Sequence, residues 1–368
     1  MERPLILTAG PSITQREIDY VTDAVTNGWN ANWNGYLTRF EKSFAEYIGV
    51  GHAMSTSSGT GALHLGLAAL GIGPGDEVIV ADLSWVASAS SITYVGATPV
   101  MCDVEEVSWC MSPVAMESMI TPRTKAIMPV HLYGHPANMP AIIEVARRRG
   151  LKVIEDAAPA VGAAVAGRRV GSFGDVAAFS FQGAKVLVTG EGGMLVTNDS
   201  ALFDRVRVIG DHGRHPTIPL WANEVGFKYK MSNLQAAMGL AQLERVQELI
   251  SRKRDINARY RGNLAGINTL AVSTELPGCE SIHWMTSIEV FGIDEDRRNG
   301  IMAEMKTLSV DTRPVFRPMS SMPMFERRAE NPVSSRIGRS AINLPSGHNL
   351  TDDDIDYVSE TVIRVCGR

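Results

Sequence analysis

The stretch KVIEDAAPAVGAAVAGRRVGSFGDVAAFSFQGAKVLVTGEGGMLVTND, residues 152–199, decides the fold class. It contains three short apolar runs, KVIEDAA, DVAAFSFQ and GGMLVTND, which predict buried β-strands bounded by Gly or Asp. Four runs of the same kind precede it: HAMSTSS, DEVIVAD, TPVMCDV and TKAIMPVHL. Helical patterns such as NMPAIIEVARRRG separate several of these strands. Strands that alternate with helices predict an α/β fold with a mostly parallel central sheet flanked by helices.

The sequence changes character after about residue 265, which predicts a second unit. Residues 232–266 are predicted to be rich in helix, with Ser232 and Asn233 as candidate cap residues. Beyond them, IHWMTSIEVFG and SVDTRPV predict strands, EDRRNGIMAEMKTL predicts a helix, and TDDDIDYVSETVIRV predicts a last helix. We therefore predict a large domain over residues 1–250 and a small C-terminal α+β domain over residues 251–368, with the boundary inside a helix.

Charge, hydropathy and cysteine content exclude several classes of protein. The 35 Lys and Arg residues against 40 Asp and Glu leave a net charge of −5, without the basic blocks that bind nucleic acid or anionic membranes. No apolar stretch approaches the roughly 18 residues of a transmembrane helix, and the apolar run near the N-terminus is too short for a signal peptide. The four cysteines form no CxxC pair. We therefore expect a cytoplasmic protein with no nucleic-acid or membrane partner.

Common nucleotide and metal motifs are missing from the sequence. It has no GxxxxGK[ST] motif, and the glycines near Gly59 and Gly71 miss the GxGxxG spacing. The histidine pairs in HLYGHP and DHGRH lack the HExxH spacing of a helical zinc site. We therefore predict neither a P-loop, nor a Rossmann dinucleotide site, nor a metal site.

Three other features suit one cofactor. The segment SSGTG, residues 57–61, lies between a predicted strand and a helix, where its backbone N–H groups either bind an anion or only cap the helix. Asp156 follows an apolar strand and either faces the ligand crevice of the sheet or caps a turn. Lys185 is a surface charge unless burial lowers its pKa and makes it a Schiff-base former. A phosphate cradle, an acid and a lysine, in this order, are what a pyridoxal phosphate (PLP) enzyme needs.

The motifs together resemble one protein family. They are GTGALHLGLAALGIGPGDEVIV, VGATPVMCDV, KAIMPVHLYGHP, VIEDAA, VGSFGDVAAFSFQGAK, TGEGGMLVTND, FKYKMSNLQAAMGLAQLERV and INLPS. In this order, and over nearly the whole chain, they resemble the sugar aminotransferases of the DegT/DnrJ/EryC1/StrS family. The resemblance implies the fold-type-I architecture of PLP-dependent aminotransferases.

The resemblance also implies a role for each motif residue. Lys185 matches the catalytic lysine that binds PLP covalently, and Asp156 matches the acid that holds the protonated pyridine nitrogen. The other cofactor positions are the phosphate ligands and the aromatic residue stacked on the ring, which here are Gly59, Thr60, Ser180 and Trp85. Asn233 matches an asparagine that reaches the PLP phosphate of the neighbouring subunit, which implies a homodimer or tetramer with shared sites. Pro159 replaces the Gln or Glu that commonly contacts the 3-hydroxyl of PLP, so we expect Gln182 or a water to take over.

The reaction implied is a transamination in two half-reactions. Glutamate, the usual donor in the family, gives up its amino group with Lys185 as general base, and a keto-sugar then receives it. We expect a nucleotide-linked 4-keto-6-deoxy sugar, in first place GDP-linked, destined for a surface polysaccharide such as the lipopolysaccharide O-antigen, or for another glycoconjugate. UDP- or dTDP-linked keto-sugars, and the transamination that makes 8-amino-3,8-dideoxy-octulosonate, fit the same core. The candidate substrate contacts are Tyr36, His135, Tyr229, His283 and Arg313.

Two other classes of function remain as rivals. PLP-dependent sugar dehydratases resemble this chain, but they carry histidine where Lys185 stands. A non-catalytic sensor on the same scaffold would have lost the lysine, the acid or the phosphate loop, and all three are present here.

Overall fold

The computed structural model describes residues 3–367, which form fourteen strands and twelve α-helices. The strands are β1 His52–Thr56, β2 Glu77–Ala81, β3 Thr98–Cys102, β4 Thr124–Met128, β5 Lys152–Asp156, β6 Ala164–Val165, β7 Arg168–Arg169, β8 Val176–Ser180, β9 Gly193–Thr197, β10 Leu270–Val272, β11 Cys279–Glu280, β12 Ser287–Val290, β13 Arg313–Pro314 and β14 Ala341–Asn343. The helices are α1 Gln15–Asn27, α2 Gly35–Ile48, α3 Gly59–Ala69, α4 Ala87–Tyr94, α5 Pro113–Ser118, α6 Met139–Arg149, α7 Ser200–Gly210, α8 Asn233–Leu243, α9 Val246–Asn263, α10 Glu295–Thr307, α11 Pro332–Ser340 and α12 Asp352–Cys366.

Seven strands form the central sheet, in the order β1-β9-β8-β5-β4-β2-β3. The strands from β8 to β3 pair in parallel, while β9 runs antiparallel to both β8 and β1. Each of the seven corresponds to one of the apolar runs in the sequence, and β2, β8 and β9 are buried over their whole length. The predicted α/β fold with a mostly parallel sheet is therefore confirmed.

The direction of the strands decides where a site can form. Because β1, β2, β5 and β8 run the same way, their carboxyl ends lie at one edge of the sheet. β1 leads into α3, β5 ends at Asp156 and β8 ends at Ser180. Ligands of open α/β sheets bind in the crevice outside these carboxyl ends.

The helix-rich segment after residue 232 consists of two helices, α8 and α9. Ser232 is the N-cap of α8, and a capping box with Gln235 closes its first turn. Between the two helices, the Nη1 atom of Arg245 donates to Oε1 of Glu17 in α1 over 2.8 Å. Both side chains are almost fully buried. The pairing offsets the cost of burying each charge, which would be high for either one alone in the interior.

Two hydrophobic cores meet inside α9. Leu249 and Ile250 belong to the core of the large sheet, whereas Ile256 and Tyr260 belong to a smaller second core. The second core includes residues of the four-stranded sheet β10-β12-β14-β13 and also Ile6 from the start of the chain. The N-terminal segment therefore packs with the small unit, and residues 250–251, the predicted boundary, lie within α9.

Three features are missing from the described residues: a membrane-spanning helix, a metal-binding cluster and a disulfide bond. No helix within residues 3–367 combines the length and the apolar composition needed to cross a bilayer. In the same part of the chain, no three His, Cys, Asp or Glu side chains gather as they would around a metal ion. The cysteines are free thiols: Cys102, Cys110, Cys279 and Cys366.

Candidate active site

A cavity of about 500 Å³ opens at the carboxyl edge of the central sheet. Residues from β5, β8, the α3 N-terminus and the small unit line it together. Eight of the residues proposed from sequence lie on its wall: Gly59, Thr60, Trp85, Asp156, Ser180, Gln182, Lys185 and Arg313. These positions are up to 254 residues apart in sequence, so folding alone brings them together.

The N-terminus of α3 forms one end of the cavity. The Ser58 side chain accepts a hydrogen bond from the amide of Gly61, whereas the amides of Gly59 and Thr60, in the first turn, have no partner within the helix. A Cβ atom at residue 59 would lie 2.8 Å from Cβ of Ser180, so only glycine fits this close approach of α3 to β8. Free amides at a helix N-terminus, with the Thr60 and Ser180 hydroxyls beside them, suit a phosphate group.

Asp156 is buried in the cavity wall with its carboxylate held in place. Its Oδ2 atom accepts a hydrogen bond from Oγ of Ser88 over 2.6 Å, and its Oδ1 atom accepts one from the amide of Ala158 over 3.1 Å. The Ser88 hydroxyl lies 3.0 Å from that of Ser84. Neither serine stands out in the sequence, because each lies more than 65 residues before Asp156 and belongs to an unremarkable run of small residues.

Replacing Ser88 with alanine is expected to weaken PLP binding roughly 3- to 10-fold, because Asp156 then loses the donor that orients its carboxylate. The dissociation constant of PLP, obtained by absorbance titration, measures the effect. Ser91→Ala is the matched control, since Ser91 is a buried serine of the same helix whose hydroxyl donates to the Ser88 carbonyl instead. Equal PLP affinity in the wild type and Ser88→Ala would contradict this role.

Lys185 lies opposite a tryptophan that the sequence analysis did not identify. Burial lowers the pKa of its amine to about 8, and the nearby Asp156 carboxylate only partly opposes this shift. The Nζ atom lies 3.7 Å from the centre of the Trp284 ring. An amine with a pKa this close to neutrality is a competent nucleophile and general base at physiological pH.

Aromatic rings continue the wall from Trp284 across the cavity. Tyr133 lies between Trp284 and Phe316, with ring centres 5.9 and 5.2 Å away, and Phe316 lies 5.9 Å from Trp85. The Tyr133 hydroxyl accepts a hydrogen bond from the Phe316 amide over 2.9 Å, which joins the small unit to the large one. Trp85 keeps more than half of its surface exposed, so it offers a flat face to a ligand ring.

These groups fit PLP. The amides and hydroxyls at the α3 end suit its phosphate, Asp156 suits its pyridine nitrogen, and Lys185 suits its aldehyde. Pro159 also lines the cavity and offers no hydrogen-bonding side chain there. Gln182 lies in the same wall, where its Oε1 atom accepts a hydrogen bond from the Ala184 amide over 2.9 Å.

Tyr36, Tyr229 and Asn233 lie outside the cavity of their own chain. The Tyr36 hydroxyl donates to Oδ2 of Asp23 over 2.6 Å, and the Tyr36 amide donates to Oδ1 of Asn233 over 3.0 Å. The Tyr229 hydroxyl is 2.7 Å from Nδ1 of His64. Within one chain, Tyr36 and Asn233 therefore hold the start of α2 in place, and Tyr229 contacts α3 through His64.

His135 and His283 line a second, small cavity, which Tyr133 also borders. Both ring nitrogens of His135 are used by the backbone, since Nδ1 donates to the Pro136 carbonyl and Nε2 accepts from the Leu276 amide. Burial lowers the pKa of His283 to about 4, so this ring is neutral at pH 7. A substrate in the main cavity does not reach the ring nitrogens of His135 without breaking these backbone bonds.

Arg313 is the one proposed substrate contact that lines the main cavity. Its side chain is mostly exposed, and its guanidinium is 3.5 Å from Oδ2 of Asp311. A guanidinium with most of its donors free suits a carboxylate or a phosphate.

Comparison with known proteins places the chain among aminotransferases. The sequence profile of the DegT/DnrJ/EryC1/StrS aminotransferase family matches residues 11–363. The GDP-perosamine synthase of Caulobacter vibrioides is 43% identical over 359 residues, and that of Escherichia coli O157:H7 is 43% identical over 354; each alignment covers 96% of both chains. The PLP form of the putative sugar aminotransferase Spr1654 from Streptococcus pneumoniae superposes with a TM-score of 0.93 at 28% identity, over 99% of both chains.

Proposed function

The chain belongs to the DegT/DnrJ/EryC1/StrS aminotransferase family, and on this basis we propose that it transfers the amino group of glutamate to a GDP-linked 4-keto-6-deoxy sugar. PLP is the cofactor, and when bound it supplies the electron sink that transamination requires. The observation that supports this function best is the cavity in which Lys185, Asp156 and the α3 N-terminus meet. Lys185 also argues against the dehydratase and the sensor considered above.

Each residue of the cavity has a different role in the proposed reaction. The α3 amides and the Ser180 hydroxyl bind the phosphate, and Asp156 holds a proton on the pyridine nitrogen through its fixed carboxylate. Lys185, whose amine is partly neutral at pH 7, takes the proton from the α-carbon of the donor and returns it at the cofactor carbon. Arg313 binds the carboxylate of glutamate or a phosphate of the nucleotide.

The substrate is inferred from the relatives. Two relatives of matching length, both named GDP-perosamine synthase, share 43% of their residues with this chain. That likeness favours a GDP-linked sugar over a UDP- or dTDP-linked one and over a keto-octulosonate, with the product entering a surface polysaccharide. The free thiols of the described residues suit the reducing cytoplasm in which we place the enzyme.

Absorbance of the purified protein with PLP tests this function. Glutamate is expected to bleach the band of lysine-bound PLP, and the keto-sugar that is a substrate is expected to restore it. GDP-, UDP- and dTDP-linked 4-keto-6-deoxy sugars and a keto-octulosonate form the panel, with Lys185→Ala as the inactive control. A band that glutamate leaves unchanged would refute glutamate as donor, and recovery by a sugar other than the GDP-linked one would refute the proposed acceptor.

We further propose that the enzyme is a homodimer in which Asn233 completes the partner's site. The segment 212–227 exposes four large apolar side chains: Ile218, Leu220, Trp221 and Val225. Trp29 and Trp33, near the start of α2, are exposed as well. An apolar surface of this kind marks a protein interface, and a second copy is the partner that the family suggests.

Asn233→Ala is expected to lower PLP retention about tenfold, because a phosphate contact from the second subunit is lost. Since Asn233 also accepts hydrogen bonds within its own chain, mixing experiments distinguish the two roles. In a mixture of Lys185→Ala and Asn233→Ala chains, shared sites would give hybrid dimers with one intact site. At a PLP concentration that fills wild-type sites but few Asn233→Ala sites, activity is then expected to recover to about a quarter of the wild-type value after random mixing. No recovery would contradict the shared site.

A further inference from the structure

Trp284 holds a fixed position against the turn that carries Lys185. Its Nε1–H donates to the carbonyl of Ala184 over 2.6 Å, and its own amide donates to the carbonyl of Tyr133 over 2.9 Å. The side chain is 6% exposed, and its ring packs against the ring of Tyr133. The indole therefore has little freedom to move away from the lysine.

The indole face of Trp284 lies against the Lys185 amine. The Nζ atom lies 3.7 Å from the ring centre, well inside the range of a cation–π contact. Within residues 3–367, Lys185 makes no salt bridge and no side-chain hydrogen bond, and the charge of Asp156 favours its protonated form. The other charged residues on the cavity wall are Glu191 and Arg313.

We propose that Trp284 is a positioning residue whose indole face binds the Lys185 ammonium each time the lysine holds a proton during transamination. This inference rests on the proposed function, in which Lys185 must leave its bond to PLP and carry a proton between two carbon atoms. Breaking the donor C–H bond would pass its proton to Lys185 Nζ, while the electron pair would be taken up by the electron sink that PLP supplies when bound. At the buried position of Lys185, the ring quadrupole stabilises that charge and leaves the amine able to give the proton back.

The experiment measures the ionisation of Lys185 in the full chain after PLP has been removed. Trace acetylation with acetic anhydride between pH 6 and 11, followed by mass spectrometry of the Lys185 peptide, gives the midpoint pH of the reactive amine. For the wild type this midpoint is expected at about 8. Thermal melts of each variant establish that it is folded.

Three substitutions separate the ring face from the other contacts of Trp284. Trp284→Leu and Trp284→Met remove both the aromatic face and the bond to Ala184, whereas Trp284→Phe removes only the bond. The two aliphatic variants are expected to lower the midpoint by about 0.5 to 1 pH unit, and Trp284→Phe by less than half of that. Trp109→Leu is the matched control, because Trp109 is a buried tryptophan that makes an edge-to-face contact with the Tyr133 ring.

Three results would overturn the proposal. Equal shifts in all three variants would assign the effect to the Ala184 bond, and an upward shift in the aliphatic variants would mean that Trp284 acts by excluding water. An unchanged midpoint would leave Trp284 with a structural role only. If only Trp284→Phe folds, a shift in it as large as about 1 pH unit contradicts the proposal, and a small one supports it. Because acetylation needs neither PLP nor sugar, its result is independent of the test of the proposed function.

Discussion

Lys185→Ala is expected to abolish covalent attachment of PLP and to slow transamination by at least about a thousandfold. The substitution removes the amine that attacks the cofactor and also the base that moves the proton, and a positioned base alone contributes about 100- to 10,000-fold. Borohydride reduction followed by mass spectrometry detects the attachment, and bleaching of the PLP band by glutamate measures the rate.

Lys185→Arg is the matched control for this experiment. It keeps a positive charge in the cavity, but the guanidinium is never neutral at physiological pH and neither attacks PLP nor accepts a proton. We therefore expect it to be as inactive as the alanine variant while binding PLP non-covalently. Full turnover by either variant would refute Lys185 as the catalytic residue.

Asp156→Asn is expected to lower both the affinity for PLP and the rate of the glutamate half-reaction by about 100- to 1,000-fold. A neutral amide does not hold a proton on the pyridine nitrogen, and removing one partner of a buried charge pair costs about 3–5 kcal/mol. The Ser88 hydroxyl also loses the negative acceptor to which it donates. PLP titration and single-turnover absorbance measure the two effects separately.

Asp156→Glu separates charge from position in this site. The glutamate keeps the negative charge but moves it by one methylene, away from the donors Ser88 and Ala158 that hold Asp156. We expect a loss between those of the wild type and the asparagine variant, because the charge remains while the geometry is disturbed. A rate and a PLP affinity unchanged in Asp156→Asn would remove Asp156 from the proposed mechanism.

The histidines and tyrosines show where inference from sequence stops. His135 and Tyr229 have the side chains a sugar site needs, yet the structure uses both ring nitrogens of His135 for backbone bonds and places the Tyr229 hydroxyl against His64. A sequence gives the type of a side chain but not the partners that occupy its polar atoms. The substrate contact of Tyr36 and the contact of Asn233 with the neighbouring subunit's cofactor remain predictions.

By itself, the sequence determined the secondary-structure elements and the order of the functional residues along the chain. Seven apolar runs predicted the seven strands of the sheet, and the resemblance to the family singled out Gly59, Asp156 and Lys185, which line the cavity at its carboxyl edge. These are local signals, since strand burial and helix capping depend on neighbours in sequence. Such signals can therefore be recognised without knowledge of the fold.

Only the tertiary structure decided how those residues are supported. Ser88 reaches Asp156 across 68 residues, and Trp284 reaches Lys185 across 99. Arg245, between α8 and α9, likewise pairs with Glu17 across 228 residues. Each of these contacts joins segments that meet only after the sheet and the small unit have formed, and the energy of such a contact depends on burial and geometry that no local pattern encodes.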